Sequence, residues 1–271
     1  MKNNINTKVT ELFSLKNKKI LIIGGAGFLG KAMTLTLLEL GAYVIVASRD
    51  QKNGTKVIGE INKKFKKKAI FIPVDIANNS SLQLLTKEVS KRFNGNLDVL
   101  INCGWAGKKN SFDSISIDDW NYDIEVCLNA VFKTIKKFLP MLKKNEGGNI
   151  LNVGSTYGGL APDFKIYDST KYTNPPSYGA AKAGIIQLTK YCASFFAQYK
   201  IRSNCLSPGA FPQIKTRKDN PKFVKRLAEK CPTNRIGEPV DLKGAVALLC
   251  SDAGSFINGQ NLRVDGGWSI W

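Results

Sequence analysis

The stretch KILIIGGAGFLG, residues 19–30, decides the fold. Its first five residues suit a buried strand, and the glycine cluster that follows leads into a helical pattern at Lys31–Leu40. Glycines let the backbone turn sharply and approach a pyrophosphate, while a helix N-terminus presents unpaired N–H groups and a positive dipole end. The alternative is a tight strand–helix turn without a ligand. The phosphate-binding turn that we expect consists of Gly24, Gly25, Ala26, Gly27, Phe28, Leu29 and Gly30.

Apolar runs and helical stretches alternate along the chain. Strands that alternate with helices predict an α/β protein of Rossmann type: a doubly wound, seven-stranded parallel sheet with helices on both faces. No linker or repeat interrupts the pattern, so we expect one domain over residues 1–271. The predicted strands are Lys19–Ile23, Tyr43–Ala47, Ala69–Val74, Leu97–Ile101, Asn149–Val153, Ile201–Leu206 and Asn261–Val264.

The composition excludes several kinds of catalytic site. The 271 residues contain no histidine, so the chain cannot form a Ser–His–Asp or Cys–His nucleophilic site, or a zinc site built on histidine. No two of the six cysteines have the C-x-x-C spacing of a zinc ribbon or a redox motif, and we predict no metal site. Acid–base chemistry would have to use Tyr, Lys, Cys, Asp or Glu.

The net charge of +19 comes mostly from lysine, because only seven of the 40 basic residues are arginine. Nucleic-acid readers favour arginine interleaved with aromatic residues, so we expect no nucleic-acid partner. The dispersed lysines are typical of a solvated surface; alternatively, they attract dinucleotide phosphates, a nucleotide sugar or an acidic carrier protein. No segment suits a membrane span or a secretory signal, and we expect a cytoplasmic protein.

The end of the second predicted strand bears on the choice of dinucleotide. An acidic side chain there would bind the ribose 2′-hydroxyl of NAD(H) and repel a 2′-phosphate. Ser48 and Arg49 instead suit a phosphate, which favours NADP(H) as the cofactor. NAD(H) remains an alternative cofactor for two reasons. Asp50 follows one residue later, and the Arg49 side chain would serve equally to stack on the adenine or to face the solvent.

A tyrosine and a lysine four residues apart supply the candidate acid–base group. Tyr178 and Lys182 would share one face of a helix, where the ammonium favours the ionised form of the phenol. Tyr167 and Lys171 have the same spacing, but the proline pair at 175–176 follows them and would stop a helix. We therefore choose Tyr178 and Lys182.

A serine at the end of the fifth predicted strand is the candidate for orienting a substrate. Ser155 follows that strand at the carboxyl edge, where open α/β sheets bind their ligands. Its hydroxyl suits a hydrogen bond to a substrate carbonyl, and Thr156 is the neighbouring alternative.

These motifs together resemble the short-chain dehydrogenase/reductase family over nearly the whole chain. Further matches are Asp75, Asn102-Cys103-Gly104 where the family has N-N-A-G, and Ser207-Pro208-Gly209. The resemblance implies that Tyr178 is the acid–base group, that Lys182 tunes it and binds the nicotinamide ribose, and that Ser155 orients the carbonyl. The dinucleotide contacts that it implies are Gly24, Gly25, Ala26, Gly27, Phe28, Leu29, Gly30, Ser48, Arg49, Asp75, Ile76, Asn102, Cys103, Gly104, Tyr178, Lys182, Pro208 and Gly209.

Some residues depart from the family pattern. Ile23 stands where the family usually has threonine, and the glycine spacing resembles that of the extended branch. Cys127 aligns with the central-helix asparagine that normally holds a water of the proton relay. Asn129 lies about 200° further round the helix and is a poor substitute. These changes put the usual relay in doubt, but not hydride transfer.

The catalytic region carries an insertion. Tyr178 follows Ser155 by 23 residues, more than in the family pattern. The extra segment, residues 162–176, must leave and re-enter at the catalytic edge, so we expect it to border the substrate site; the alternative is an inert surface loop. It resembles the segment in reductases of bacterial surface-sugar and flagellin-modification pathways. The side chains that suit a polyol or sugar are Asp163, Lys165, Tyr167, Asp168, Thr170 and Tyr172.

The sequence therefore predicts an NAD(P)-dependent oxidoreductase that interconverts an alcohol and a carbonyl on a carbohydrate or nucleotide-sugar substrate. The alternatives are a 3-oxoacyl-(acyl-carrier-protein) reductase and a catalytically impaired dinucleotide-binding sensor protein. We also expect a substrate loop at residues 210–232. The resemblance implies a homodimer or homotetramer, with Trp268 and Trp271 as candidates for an interface or for packing within the chain.

Overall fold

The computed structural model of the protein describes residues 5–65, 68–108, 110–145, 147–168 and 173–270. Seven strands form one sheet in the order β3-β2-β1-β4-β5-β6-β7. Every neighbouring pair is parallel, which confirms the predicted fold class. The strands are β1 Lys19–Ile23, β2 Tyr43–Ser48, β3 Ala69–Pro73, β4 Val99–Asn102, β5 Gly148–Val153, β6 Ile201–Pro208 and β7 Asn261–Val264.

Helices connect the strands. A π-helical turn at Glu125–Asn129 joins α5 to α6 without a break, and short 3₁₀ turns lie in several connections. None of the helices within the described ranges combines the length and the apolar character that crossing a bilayer requires. The helices are α1 Val9–Leu12, α2 Phe28–Glu39, α3 Gln51–Phe65, α4 Asn79–Phe93, α5 Ile117–Ile124, α6 Ala130–Lys143, α7 Pro176–Phe196, α8 Ile214–Asp219, α9 Pro221–Lys230 and α10 Lys243–Cys250.

Both faces of the sheet are covered, as the near-continuous apolar runs of the strands require. On one face Ile20 and Ile22 pack in a core with residues of α2, α3 and α10. On the other face Leu21 and Leu100 pack in a core with residues of α4, α6 and α7. Because successive side chains of a strand point to opposite faces, central strands such as β1 and β4 contribute to both cores.

The order of the strands creates the crevice that positions the site. The chain runs outward from β1 to β3 and then returns to β4 on the opposite side of β1. The carboxyl ends of β1 and β4 lie side by side, with Ile23 opposite Asn102 and the Cys103 N–H donating to the Ile23 carbonyl at 2.9 Å. Open α/β sheets bind ligands where the strand order reverses.

Several element boundaries differ from the sequence prediction, and local contacts explain where α2, α7 and β4 begin. Helix α2 begins at Phe28 rather than Lys31, because Gly27 takes the extended N-cap conformation. Helix α7 begins at Pro176, since proline suits the first helical turn. Strand β4 begins at Val99, which pairs with Ile20, while the preceding Asp98 side chain accepts a hydrogen bond from the Lys19 N–H at 2.8 Å.

Candidate active site

A cleft of about 780 Å³ opens at the carboxyl edge of the sheet. Its walls come from the glycine turn, the ends of β2 to β6 and the start of α7. The sequence-predicted site residues that line it are Gly24, Ala26, Gly27, Phe28, Leu29, Gly30, Ser48, Arg49, Asp75, Ile76, Cys103, Gly104, Ser155, Tyr178, Lys182, Pro208 and Gly209.

The glycine turn is shaped for a pyrophosphate. Gly24 has a φ of +82°, and a Cβ atom there would lie 2.8 Å from the backbone of Cys103 and Gly104. At Gly30 a Cβ would lie 2.1 Å from the Gly24 carbonyl oxygen, so the first turn of α2 packs directly on the loop. No side chain caps the N-terminus of α2 at Gly27, which leaves its N–H groups for an anion. These residues fit the diphosphate of a dinucleotide.

Two predicted contacts, Gly25 and Asn102, lie behind the cleft wall rather than in it. The Gly25 carbonyl accepts a hydrogen bond from the Thr34 hydroxyl of α2 at 2.9 Å, which holds the turn against that helix. The buried Asn102 amide donates to the Asn152 side chain at 2.9 Å, and Asn152 donates to Thr189 of α7 at 3.0 Å. Both residues support the site from behind, through the Gly25 carbonyl and the Asn102 amide nitrogen.

The end of the cleft beside β2 carries a guanidinium. Arg49 is exposed, and its Nη1 donates to the Tyr122 hydroxyl at 3.2 Å. The Asp50 carboxylate accepts a hydrogen bond from the Asn53 N–H at 2.9 Å, in the first turn of α3. Asp50 and Asn53 also line the cleft. One carboxylate oxygen of Asp50 is thus engaged by α3, while Arg49 extends from the strand end.

Tyr178 and Lys182 lie on the same face of α7, at the bottom of the cleft. The Lys182 ammonium is buried and donates to the Val153 carbonyl at 2.7 Å. It lies 5.7 Å from the centroid of the Tyr178 ring. The competing Tyr167 has an extended backbone after a 3₁₀ turn rather than a place on an α-helix, and Lys171 lies outside the described residues.

Ser155 connects β5 to a 3₁₀ turn at Thr156–Gly158. Its backbone is extended, and its hydroxyl oxygen accepts a hydrogen bond from the Tyr157 N–H at 3.2 Å. The hydroxyl proton therefore remains for a ligand in the cleft. Thr156, the alternative from the sequence, is buried and does not line the cleft.

The cysteines near the site are held as neutral thiols. Burial raises the pKa of the Cys103 thiol to about 11, against the opposing effect of the Lys182 charge. Burial also raises the pKa of Cys127, whose Sγ donates to the Ala106 carbonyl at 3.0 Å from within the π-helical turn. Neither thiol has the thiolate character that a nucleophile needs. Asn129 donates instead to Glu125 at 2.9 Å.

The inserted segment packs on α9, which lies in the predicted substrate loop. The described part of residues 162–176 does not line the cleft; instead Arg226 of α9 donates to the Ile166 carbonyl at 2.7 Å and pairs with Asp168 at 2.6 Å. Tyr167 packs on Phe223 of α9 with ring centroids 5.3 Å apart. Thr170 and Tyr172 lie outside the described residues.

The predicted substrate loop contributes to the cleft at its start. Phe211 and Gln213 line the cleft just before α8. Trp268 packs on Tyr157 with ring centroids 6.4 Å apart, which is packing within the chain; Trp271 lies outside the described residues.

Sequence reasoning missed several residues of the cleft. The most prominent is Trp105, which lines the cleft and meets the Tyr178 ring edge to face, with centroids 5.9 Å apart. Its position directly after Asn102-Cys103-Gly104 was the available signal, because a loop that follows a central strand reaches the same edge. The other missed lining residues are Ile23, Asp50, Asn53, Val74, Ala106, Val126, Val153 and Gly154.

Comparison with known proteins agrees with this geometry. The family model described as "Enoyl-(Acyl carrier protein) reductase" matches residues 25–269. The chain is 30% identical over 256 residues to the 2,5-dichloro-2,5-cyclohexadiene-1,4-diol dehydrogenase LinX of Sphingobium indicum, covering 94% of this chain and 98% of LinX. The chain belongs to the short-chain dehydrogenase/reductase family. Its glycine turn, Tyr178 and Lys182 are the family motifs that first indicated the resemblance.

Other short-chain dehydrogenases/reductases are similar to a comparable degree. The 3-oxoacyl-(acyl-carrier-protein) reductase FabG of Staphylococcus epidermidis is 30% identical over 253 residues, covering 93% of this chain and 98% of FabG. The family, the fold and the assignment as an NAD(P)-dependent oxidoreductase are thus confirmed.

Two solved structures show which dinucleotides such relatives bind. A gluconate 5-dehydrogenase from Burkholderia cenocepacia, in complex with NADP and tartrate, has a TM-score of 0.86 at 27% identity and covers 97% of this chain and 100% of its own. A short-chain dehydrogenase from Leptospira borgpetersenii with bound NAD+ has a TM-score of 0.83 at 31% identity, with coverages of 100% and 99%. They support a nicotinamide dinucleotide as the cofactor.

Proposed function

We propose that this enzyme uses NADP(H) to interconvert an alcohol and a carbonyl on a carbohydrate or nucleotide-sugar substrate. The observation that carries the proposal is that Ser155, Tyr178 and Lys182 line the same cleft as the glycine turn. A diphosphate held at the turn and a substrate held at Tyr178 would therefore share one enclosed space.

The residues of the cleft divide the chemical work. When bound, the dinucleotide supplies or accepts the hydride. In the reducing direction the Ser155 hydroxyl donates to the carbonyl oxygen and holds it in place. The Tyr178 phenol transfers its proton to that oxygen, while the Lys182 ammonium, anchored on the Val153 carbonyl at 2.7 Å, favours the phenolate that remains. In the oxidising direction Tyr178 accepts the alcohol proton.

The preference for NADP(H) follows from the cleft end beside β2. Arg49 extends from that strand end with one guanidinium nitrogen on the Tyr122 hydroxyl, and Ser48 supplies a hydroxyl beside it. A 2′-phosphate would accept charge-assisted hydrogen bonds from both. The rival is Asp50, which lines the same region but has one oxygen engaged by the Asn53 N–H.

A polar, hydroxylated substrate is favoured by one of the similar structures. The gluconate 5-dehydrogenase that resembles this chain is a polyol enzyme by its name and was solved with tartrate. The alternative is reduction of a 3-oxoacyl group on an acidic carrier protein, which the similarity to FabG and the net charge of +19 favour. The two readings differ in whether a long acyl thioester or a polyhydroxylated carbonyl is the better substrate.

The proposal also includes a homodimer or homotetramer. Phe132 of α6 and Tyr191 and Phe195 of α7 are about half exposed, at 51%, 62% and 49%. Tyr191 and Phe195 stack with ring centroids 5.8 Å apart, so the pair forms a flat apolar surface. Exposed aromatic patches of this kind mark association surfaces, and light scattering on the eluted protein would measure the oligomeric state.

The test uses the purified full-length chain. Isothermal titration with NADPH and NADH measures dinucleotide affinity, and NADPH oxidation is followed with keto sugars, nucleotide-linked keto sugars and acetoacetyl thioesters. We expect tighter binding of NADPH and the highest kcat/KM with a keto sugar. A clear preference for the acetoacetyl thioester would support the carrier-protein alternative, and dinucleotide binding without turnover of any carbonyl would support the sensor alternative.

A further inference from the structure

A buried carboxylate lies next to the catalytic cleft. Asp123 of α5 is only 2% exposed. One carboxylate oxygen accepts a hydrogen bond from the Lys108 N–H at 2.9 Å, and the other accepts from the Ser177 hydroxyl at 2.6 Å. Because burying an acidic group costs free energy unless its oxygens are hydrogen-bonded, both partners are needed to keep Asp123 in this position.

The two partners of Asp123 belong to the two segments that form the wall around Tyr178. Ser177 directly precedes Tyr178 at the start of α7, and Lys108 lies three residues after Trp105 in the loop between β4 and α5. Four residues further along the same helix, Cys127 donates to the Ala106 carbonyl at 3.0 Å. Besides the Asn110 amide bond to Asp119, the part of the loop nearest Trp105 is therefore held at Ala106 and Lys108 by this helix.

Trp105 is the side chain that this arrangement presents to the cleft. Its ring is perpendicular to the Tyr178 ring at a centroid distance of 5.9 Å. The residue is 45% exposed, so much of the indole is free to meet a ligand. A ligand in the angle between the two rings would have the phenol on one side and an apolar aromatic surface on the other.

We propose that Trp105 is a substrate-binding residue that packs against the C–H face of a saturated ring, and that Asp123 is the positioning residue that holds it beside Tyr178. A ring of this kind has an apolar C–H face and polar substituents at its rim, so it can contact the indole while its carbonyl reaches Tyr178 and Ser155. This rests on the proposed function, and it narrows the substrate class to cyclic sugars, cyclitols and similar rings.

The test for Trp105 compares two diketones that differ only in ring closure. Cyclohexane-1,4-dione and hexane-2,5-dione are reduced by wild type, W105F and W105L with NADPH. We expect wild type to favour the cyclic dione, and W105L to lose about tenfold in that preference, mainly through KM. W105F should keep most of it, because it retains an aromatic face. An unchanged ratio of kcat/KM values in W105L would overturn the assignment of Trp105.

The test for Asp123 uses D123L, with D123N as the conservative variant and D118L as a control at an exposed position of α5. An asparagine can still accept from the Lys108 N–H and hydrogen-bond with Ser177, so D123N should keep the ring preference. D123L should reduce it about as much as W105L does. If D123L lowers kcat/KM for both diones equally, Asp123 acts on Tyr178 or on folding alone, and its role toward Trp105 is wrong.

These experiments distinguish a failure of the proposed function from a failure of the inference about Trp105 and Asp123. Titration with NADPH shows whether each variant is folded and binds dinucleotide. Wild type that binds NADPH but reduces neither dione would contradict carbonyl reduction at this site, and the inference would fall with it. Wild type that reduces both without preferring the ring contradicts the role of Trp105 while leaving the proposed function intact.

Discussion

Replacing Arg49 is the sharpest test of cofactor choice, because only one of the two dinucleotides carries the group that Arg49 would bind. Arg49→Gln removes the positive charge at the end of β2 but keeps a side chain that can hydrogen-bond. Tyr122→Phe is the matched control: it removes only the hydroxyl that accepts from Arg49 Nη1 at 3.2 Å.

The size of the effect follows from the exposure of this side chain. A hydrogen bond to a charged group contributes about 1.5–3 kcal/mol when it is shielded. Arg49 is exposed, so solvent screening reduces this to about 1–2 kcal/mol, which corresponds to a roughly 5–30-fold loss of kcat/KM with NADPH. Tyr122→Phe leaves the charge in place and should cost only about threefold.

The assay measures kcat/KM with NADPH and with NADH, at low and at moderate salt, for wild type and both variants. We expect the NADPH value of Arg49→Gln to fall while the NADH value stays within about twofold, and the loss to shrink as salt screens the charge. An equal loss with both dinucleotides would refute a 2′-phosphate contact and return the choice to Asp50.

Three further predictions concern packing, the substrate loop and the thiols. Gly30→Ala places a Cβ 2.1 Å from the Gly24 carbonyl oxygen and should lower the free energy of unfolding, measured in urea titrations, by about 1–3 kcal/mol. The control is Gly59→Ala in α3, where a Cβ meets nothing within 4 Å and should raise the free energy of unfolding by about 0.5–1 kcal/mol. Equal effects of the two substitutions would contradict the packing of α2 on the turn. Arg226→Ala removes the bonds to Ile166 and Asp168 and should speed trypsin cleavage within residues 214–230 by about fivefold. Lys225→Ala loses only a 3.8 Å ion pair with Glu229 and should leave the cleavage rate unchanged. Identical cleavage rates in the two variants would refute the contact of Arg226 with the insertion. Because burial raises the pKa of Cys103 to about 11, its alkylation by iodoacetamide should rise about tenfold per pH unit from pH 7.5 to 9.5 in mass spectrometry; a plateau below pH 9 would show an ordinary thiol.

Much of the fold could be predicted because its determinants are local. The apolar run at Lys19–Ile23 is a strand with the predicted bounds. A parallel strand buried on both faces needs a continuous apolar run, and that run is visible in one short window. Boundaries such as the start of β4 at Val99 depend on pairing with β1, which no local window contains.

The positions of the main residues of the candidate site could be predicted from the sequence, because the topology of the sheet determines them. Tyr178, Lys182 and Ser155 lie at the carboxyl edge because the strands before them end there. Trp105 and Asp123 were missed for a different reason: their roles come from contacts between separate segments. Asp123 belongs to a stretch with acidic neighbours that suggests an exposed helix, and only the positions of Ser177 and Lys108 show that it is buried.

The insertion illustrates the same difficulty. Its place in the sequence predicted a border of the substrate site, but its described residues pack on α9 through Arg226, which is 58 positions from Asp168. An ion pair between segments so far apart leaves no periodic signal. The described residues of the insertion therefore contact α9, within the predicted substrate loop, rather than the cleft.

The most direct test of the proposed chemistry compares Tyr178→Phe with wild type. NADPH affinity and carbonyl turnover are measured on the same preparation of each protein. The substitution keeps the ring that Trp105 contacts and removes only the hydroxyl. We expect NADPH affinity within about twofold of wild type and turnover reduced by about 100-fold or more. Turnover at the wild-type rate would show that the proton comes from another group and would contradict the assignment of Tyr178.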